Sequence, residues 1–332
     1  MNGPYNYLDG VRVTNIGPLN VYTHPYVAKI RPDGSRLVWF TMFGGSGPGG
    51  EGNRGRCTVD SAGAVYAQGE TTSKNFPVTP GAYQTSTNLP FSGWVAKLYP
   101  NGSGLEWATY VASPNGSADA ADSGIVLAPD GSIYFGGFTR GAYGLATPGA
   151  YQRFNATGRQ VCYIGHLAGD GKTMLALTYL GPTTTTANMT ECENIVLDSG
   201  GNVYTYGLTP SASFPVTPGA YQRVYGGGIH DLFVSKLNPS LSTLIASTFI
   251  GGSGAESADT SGRIHIDAAG NVWAAASSNS TNFPVTLNAF RRTLSGADDM
   301  VFFALNPSLT ALVYGSYIGG DGADGNRSMW IY

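Results

Sequence analysis

The property that most constrains this chain is a repeat of nearly constant period. Residues 194–252 read NIVLDSGGNVYTYGLT, then SFPVTPGAYQ, then DLFVSKLNPSLSTLIASTFIGG. Related copies begin at Arg56 (RCTVDSAGAVYAQGET), Gly124 (GIVLAPDGSIYFGGFT) and Arg263 (RIHIDAAGNVWAAAS). The glycine of the first turn falls at Gly63, Gly131, Gly201 and Gly270, in steps of 68, 70 and 69 residues. A fixed period of this kind means that each copy is one supersecondary unit that cannot bury its apolar surface alone, so neighbours must stack.

Each full copy supplies four strands, at 195–197, 203–207, 232–237 and 244–249 in the best-formed one. Tight turns carrying Asp and Gly join the first two, with glycine allowing positive φ. First strands such as IVL and IHI lack a polar face, as suits strands buried between neighbouring sheets. Residues 1–45 hold a shortened copy with no first strand and no FPVTPGAYQ segment. At the other end, residues 329–332 align with a first strand that no repeat follows. The two ends are therefore expected to complete one blade between them, which removes exposed strand edges. The expected fold is all-β, a single domain over 1–332. It is a five-bladed β-propeller of four-stranded antiparallel blades, closed by the C-terminal strand pairing into the N-terminal blade. Blade 1 takes 1–45 plus 326–332, blade 2 46–113, blade 3 114–182, blade 4 183–252 and blade 5 253–320.

Composition narrows the function classes. Only 12% of residues are charged and the net charge is −3, while Gly (48) and Tyr (20) are abundant. With no Lys/Arg cluster to neutralise phosphates, nucleic-acid binding is not expected. No apolar run approaches the ~20 residues that cross a bilayer, so membrane insertion is not expected either. Cys57, Cys162 and Cys192 lie in different copies without metal-type spacing; they read as buried small apolar residues or as one disulfide with a thiol left over. The start, MNGPYNYLDG, lacks the basic and apolar regions of a signal peptide, yet the hydroxyl- and amide-rich surface suits an extracellular or cell-surface location. His24, His166, His230 and His265 are scattered over the copies. Neither a metal nor a cofactor is expected, and the familiar nucleophile, zinc and phosphate-loop motifs are missing.

The pattern D-x-x-G-N-x-Y-x-x-G-x-T, F-P-x-T-x-G-A-Y-Q, F-V-x-K-L-N-P and S-T-x-x-G-G-x-G resembles the SBBP-type β-propeller repeat of bacteria and archaea. The copy at 195–252 matches it almost throughout, and that at Ile125 is the most worn, with GLATPGAYQ and His166 in place of Lys. The resemblance covers essentially the whole chain. It implies a propeller in a secreted or surface-associated protein, a monomer or a module of a larger one, and it implies no particular activity.

Thr79, Thr147 and Thr217 each precede a proline, which reads as the start of a short helical turn. Phe76, Phe214 and Phe283 with Tyr83, Tyr151, Tyr221 and Phe290 would pin that turn to its blade. Its place between the second and third strands predicts that these insertions wall a funnel. Departures from the repeat are then the candidates for a site. Twelve residues before the marker glycine stand Glu51, Asp119, Met189, Ala258 and, in the closing register, Asp324; nine before it stand Arg54, Asp122, Cys192, Ser261 and Arg327. Gly-Asn-Arg recurs at 52–54 and 325–327, and Glu70 breaks the pattern seven residues after the marker. Arg54 and Arg327 either pair structurally with Glu51 and Asp324, or Glu51, Asn53, Arg54, Glu70, Asp324, Asn326 and Arg327 form a polar ligand pocket. The favoured function is non-enzymatic recognition of a glycan or protein ligand. The alternative is a glycan-active enzyme, a hydrolase or lyase, using two carboxylates from Glu51, Glu70, Asp119 and Asp324; for hydrolysis they should stand roughly 5–9.5 Å apart.

Overall fold

The structure, a computed structural model, describes residues 7–8, 11–19, 23–48, 55–116, 118–184, 189–257 and 263–324. Among them every regular element is a strand. The first sheet holds β1 (Tyr7–Leu8), β2 (Val11–Ile16), β3 (Tyr26–Ile30) and β4 (Leu37–Phe43). The second holds β5 (Arg56–Val59), β6 (Val65–Thr71), β7 (Ser92–Leu98) and β8 (Leu105–Val111). In the third are β9 (Asp119–Ala120), β10 (Ile125–Leu127), β11 (Ile133–Thr139), β12 (Val161–Leu167) and β13 (Met174–Leu180). The fourth has β14 (Glu191–Leu197), β15 (Val203–Thr209), β16 (Asp231–Leu237) and β17 (Leu244–Ile250). The fifth has β18 (Glu256–Ser257), β19 (Ile264–Ile266), β20 (Val272–Ser278), β21 (Asp299–Leu305) and β22 (Leu312–Ile318). The second to fifth sheets are antiparallel meanders, so the four-strand unit read from the repeat is present four times over.

The second, third and fourth sheets bury both faces against their neighbours in chain order, and the first and fifth bury one each. Four apolar clusters fill the junctions: Trp39 and Phe43 against Val65 and Trp94, Tyr66 and Val95 against Ile133 and Tyr163, Tyr134 and Ile164 against Val203 and Phe233, and Tyr204 and Val234 against Val272 and Phe303. The alternation of a strand sends one set of side chains to each junction. An aromatic donor crosses every one of these junctions to the turn between the third and fourth strands of the next sheet. Trp39 Nε1 reaches Pro100 O (3.1 Å) and Trp107 Nε1 reaches Gly169 O (2.9 Å). Tyr134 Oη reaches Pro239 O and Tyr204 Oη reaches Pro307 O, both at 2.9 Å.

The FPVTPGAYQ segment departs from expectation. It forms no helical turn and runs along the outer edge of the fourth strand. Thr79 N donates to Ala108 O while Thr79 Oγ1 accepts from Ala108 N. Thr147 with Leu177, Thr217 with Ser247 and Thr286 with Gly315 repeat both bonds. The Thr-Pro-Gly-Ala step is a β-turn, closed by Ala82 N on Thr79 O and with Gly81 at φ +76°. Proline at the second place and glycine with positive φ at the third are what a type II turn requires, and that chemistry overrides the helix-start reading. Past the turn, Tyr83 N, Tyr151 N and Tyr221 N donate to Gly171 O, Leu241 O and Leu309 O of the next sheet. Phe76, Phe214 and Phe283 are buried, as expected, whereas Phe290 is 78% exposed. The segment therefore covers a bare sheet edge and clasps the next sheet; it does not wall a funnel.

The first sheet also differs from the shortened copy expected. Its order is β1-β2-β4-β3, with β2 parallel to β4. In fourth strands, side chains facing the next sheet belong to residues that bond toward the third strand, as Phe43 N does to Pro25 O. Alternate residues bond outward: Tyr110 N to Gln84 O in the second sheet, Gly44 N to Ile16 O in the first. So β2 lies on the outer edge of β4, the place that FPVTPGAYQ takes elsewhere. Lacking that segment, the first sheet satisfies its outer backbone groups with β2 instead. This leaves β3 as the strand that ends the sheet on the other side. The pairing expected of residues 329–332 lies outside the described residues.

Of the two readings of the cysteines, the disulfide holds: Cys162 on β12 is bonded to Cys192 on β14, stapling the third sheet to the fourth, and Cys57 is free. The sequence separation of 30 corresponds to about 3–4 kcal/mol in the loop-entropy account. Replacing both cysteines by alanine is expected to lower the free energy of unfolding by about 2–4 kcal/mol. Denaturant unfolding with and without reductant measures this; a midpoint insensitive to both changes would show that the staple contributes nothing.

Candidate functional site: a channel lined by the first strands

The first strands of the second to fifth sheets approach one another and enclose a channel. Arg56, Cys57 and Thr58 line a cavity of about 310 Å³ together with Gly124, Ile125, Val126, Asn194, Ile195, Val196, Arg263 and Ile264. A second cavity, of about 460 Å³, continues past Val126 and Val196 to Pro129, Asp198, Ser199 and His265. The approach is close enough to demand glycine at one point. A Cβ on Gly124 would stand 2.8 Å from Ile195 N. Ile125, Ile195 and Ile264 are buried in these strands, and the residue just before each, Gly124, Asn194 or Arg263, lines the same cavity as Arg56. Arg56 Nε donates to Asp122 O at 3.5 Å, and Asp122 and Glu193 are buried nearby in sequence. Cys57 is exposed to the channel; enclosure pushes its thiol up, against the pull of the Arg263 charge, so it stays protonated at neutral pH.

The polar pocket expected from the sequence falls mostly outside the described residues. Glu51, Asn53, Arg54, Asn326 and Arg327 lie outside the described residues. Glu70 is 8% exposed at the end of β6, opposite Gly93 of β7. Asp119 is at the same junction, between the second and third sheets, since Asp119 N bonds to Phe91 O and Ala121 N to Gly69 O. Asp119 is fully buried, and its carboxylate accepts from Ser113 N and Thr139 Oγ1. Burial raises its pKa, and those hydrogen bonds hold it back. Asp324 is exposed at the end of the fifth sheet, where its carboxylate accepts from Gly320 N.

What Asp119 does is general. The backbone N–H of Asp119, Thr190, Glu256 and Asp324 donates to Phe91 O, Gln160 O, His230 O and Asp298 O, at 3.2, 3.0, 3.0 and 2.8 Å. Asp119, Thr190 and Glu256 occupy one structural position, the joint at which the chain passes from one sheet to the next, and Asp324 makes the same bond at the end of the fifth sheet. Counting back from the marker glycine put Met189 and Ala258 beside Asp119; the structure replaces them with Thr190 and Glu256, because the loops between joint and marker differ in length. Counting forward from the glycine pairs Gly251–Gly252 and Gly319–Gly320 would have put Glu256 and Asp324 in register.

That correction exposes a carboxyl pair that spacing from the marker concealed. Glu256, at the joint, faces Asp231, the first residue of β16; both are fully buried. Ser278 Oγ and Ser280 Oγ donate to Glu256 Oε1, and Gly226 N donates to Asp231 Oδ2. The other oxygens, Glu256 Oε2 and Asp231 Oδ1, both lie within 3 Å of where a Gly251 Cβ would be (2.6 and 2.9 Å), which is why glycine stands there. Burial, and then the neighbouring Glu256, push the Asp231 carboxyl up to about 7. Burial raises Glu256 as well, and its serine hydrogen bonds hold it lower. Burial of both carboxyls favours one proton on Asp231 below about pH 7. Among the described residues no group of three His, Cys, Asp or Glu side chains is placed to hold a metal ion.

No protein-family model matches the chain, and no curated protein does. Among solved structures it is similar to the NanB sialidase of Streptococcus pneumoniae, at 10% identity and TM-score 0.47, over 81% of this chain and 52% of that one. It is also similar to a polysaccharide lyase of family 25, an ulvan lyase, at 11% identity and TM-score 0.43 over 89% and 65% of the two chains. A thermostable family-43 glycoside hydrolase follows at 10% identity and TM-score 0.37, over 81% and 72%. The chain thus spans about half the length of the sialidase. Likeness at this level assigns neither ligand nor activity.

The carboxyl pair has a testable signature. Asp231 has a folded pKa of about 7, raised from 3.8. The folded state therefore holds a proton that the unfolded chain releases between those values, and the pair's contribution declines as pH rises from about 4 to about 7, then levels off. Relative to Asp231→Asn, which is neutral throughout, the wild type should lose ground over that window, by at most about 1.4 kcal/mol per pH unit. Thermal unfolding of both proteins from pH 4.5 to 8.5 checks this, and a difference independent of pH would rule out the proton on Asp231.

Proposed function

We propose that the five sheets are the blades of a closed five-bladed β-propeller of the SBBP-type repeat family. In this reading the protein is an extracellular or cell-surface binding module that recognises a glycan or protein ligand at the mouth of the channel. Residues 329–332 supply the strand that closes the ring by pairing into the N-terminal sheet, which among the described residues ends at β3. The observation that carries the binding reading is the lining of the channel. Guanidinium, amide and backbone groups from four different sheets converge on one cavity, through Arg56, Gly124, Asn194 and Arg263. Such a donor set suits the hydroxyl and carboxylate groups of a sugar, and its placement on strands of a rigid scaffold suits recognition. A binding rather than hydrolytic role is supported by the fate of two buried carboxylates at joints between sheets: Asp119 accepts from Ser113 N and Thr139 Oγ1, and Glu256 Oε1 accepts from Ser278 and Ser280. An oxidising location is supported by the Cys162–Cys192 disulfide.

The test is a glycan array followed by a reducing-end assay on every hit. The expected result is retention of a glycan without release of reducing ends. Arg263→Ala should weaken retention at least tenfold while leaving the melting temperature within about 2 °C of wild type. Alkylation of Cys57, whose thiol lines the same cavity, should block binding too. Release of reducing ends would replace this reading by the glycan-active enzyme, and retention indifferent to both changes would move the site away from the channel.

A further inference from the structure

The turns between third and fourth strands follow a rule of size. In each sheet one turn residue has positive φ: Gly34 (+71°), Gly102 (+67°), Gly171 (+72°), Leu241 (+54°) and Leu309 (+57°). They occupy one position, for the amide of each bonds back to the carbonyl three residues earlier, at Arg31, Tyr99, Ala168, Asn238 and Asn306. Leucine is a costly residue in that conformation, so its presence twice needs a reason. The reason lies in the preceding sheet, at the third residue of its fourth strand. Trp39 lies over Gly102, whose Cβ would stand 2.5 Å from the indole, and Trp107 lies over Gly171, at 2.4 Å. The third and fourth sheets have Ala176 and Ala246 at that place, and the turns facing them carry Leu241 and Leu309, both fully buried. A large aromatic meets glycine; alanine meets leucine. Each junction is filled to the same depth by one partner or the other.

One turn and one aromatic are left over. Gly34 has nothing within 4 Å of its Cβ position. In the fifth sheet the matching residue is Tyr314, paired with Ala304 as Trp39 is with Lys29 and Trp107 with Lys97. Around it, Trp273 stands 5.0 Å from Phe302 and 5.9 Å from Tyr314 between ring centroids, on the face that sends the other sheets into their next neighbour. The first sheet's rear face carries a second aromatic pair, Tyr26 stacked on Phe40 at 5.1 Å, with Tyr26 64% and Val38 44% exposed. The edge segment agrees. Where Tyr83, Tyr151 and Tyr221 give their amides to the turn residue of the next sheet, Phe290 N is held at 3.2 Å by the hydroxyl of Tyr314.

We infer that the fifth sheet seats on the first sheet of the same chain, with the Tyr314 ring over Gly34 and the Trp273–Phe302–Tyr314 face against Tyr26 and Phe40. Closure follows the rule already used at four junctions, with the aromatic–glycine pairing. The Pro32 carbonyl, equivalent to the acceptors Pro100, Gly169, Pro239 and Pro307, takes the Tyr314 hydroxyl, and Phe290 N passes to Gly34 O. This contact rests on the closed ring proposed above and names the residues that meet in it; it does not depend on any ligand.

The experiment is a double-mutant cycle read by thermal unfolding and sedimentation at several protein concentrations. Gly34→Leu should lower the melting temperature by several degrees, because the new side chain meets the Tyr314 ring. Tyr314→Ala should lower it through the cavity left. The double variant reproduces the Ala176–Leu241 and Ala246–Leu309 solution and should regain most of the loss. Gly34 is exposed and Tyr314 half-buried in the described structure, so each variant is expected to fold. Additive losses would overturn the contact. Rescue that fades on dilution, accompanied by dimers or longer assemblies, would overturn closure within one chain in favour of contact between copies. Ligand retention enters neither readout, so this result and that of the glycan array are independent.

Discussion

Everything in this structure depends on the need of a sheet with two apolar faces to find a neighbour for each. A four-stranded sheet of alternating residues such as Val203, Tyr204, Thr205 and Tyr206 has no polar face to offer to water, and all four of these side chains are buried. Stacking in chain order solves the problem locally, because the face left by one copy is covered by the next. The apolar term is large but indifferent to register; any two such faces would attract. Register is set by polar bonds that repeat with the period. The joint amide bonds to the carbonyl before the third strand, an aromatic N–H or O–H crosses to the third turn, and the amide after the Thr-Pro-Gly-Ala turn reaches the same turn from outside. Each is a modest contribution in water, about 1 kcal/mol, yet misplacing one sheet would leave all three buried and unpaired.

The sequence is legible wherever the period itself carries the information. The strand quartet, the Asx-type turns at Asp60, Asp198 and Asp267, and the edges of the repeat all follow from period-two alternation and glycine placement. Less legible are features decided by the partner. FPVTPGAYQ carries good helix-start chemistry, and only the bare outer edge of the fourth strand explains why Thr79 takes a ladder position and Pro80-Gly81 a type II turn. LDGVRVTNIG has the pattern of a turn and second strand of a truncated copy; the same edge, uncovered there, draws β2 to the outside.

The register of the joints was legible only in part. Breaks in the repeat do mark special chemistry, but counting from one marker assumes loops of equal length. The joint residues Thr190 and Glu256 lie one and two residues away from the positions so obtained, enough to hide Asp231 as the partner of Glu256. The channel lining was missed for a different reason. Arg56 and Arg263 sit at the starts of first strands, where the repeat tolerates Gly124 and Asn194 equally, so neither breaks a pattern. The signal available was a basic residue next to a strand with no polar face.

The division of labour among the acidic groups then follows from depth. A carboxylate at a joint is far from water and is tolerated only with donors built around it, as Ser278 and Ser280 serve Glu256 and as Ser113 and Thr139 serve Asp119. Where a second carboxyl intrudes, a proton takes the place of a donor, and the glycine at position 251 makes room for both oxygens. Such groups are fixed by the assembly of the sheets and cannot also be offered to a ligand. The first strands obey a different constraint. They line open space, so their polar ends need only partial satisfaction from the protein, and residue choice there is free to vary from copy to copy without disturbing any junction. A repeat protein built this way keeps its conserved geometry in the joints and leaves its chemistry to the strand ends that face the channel.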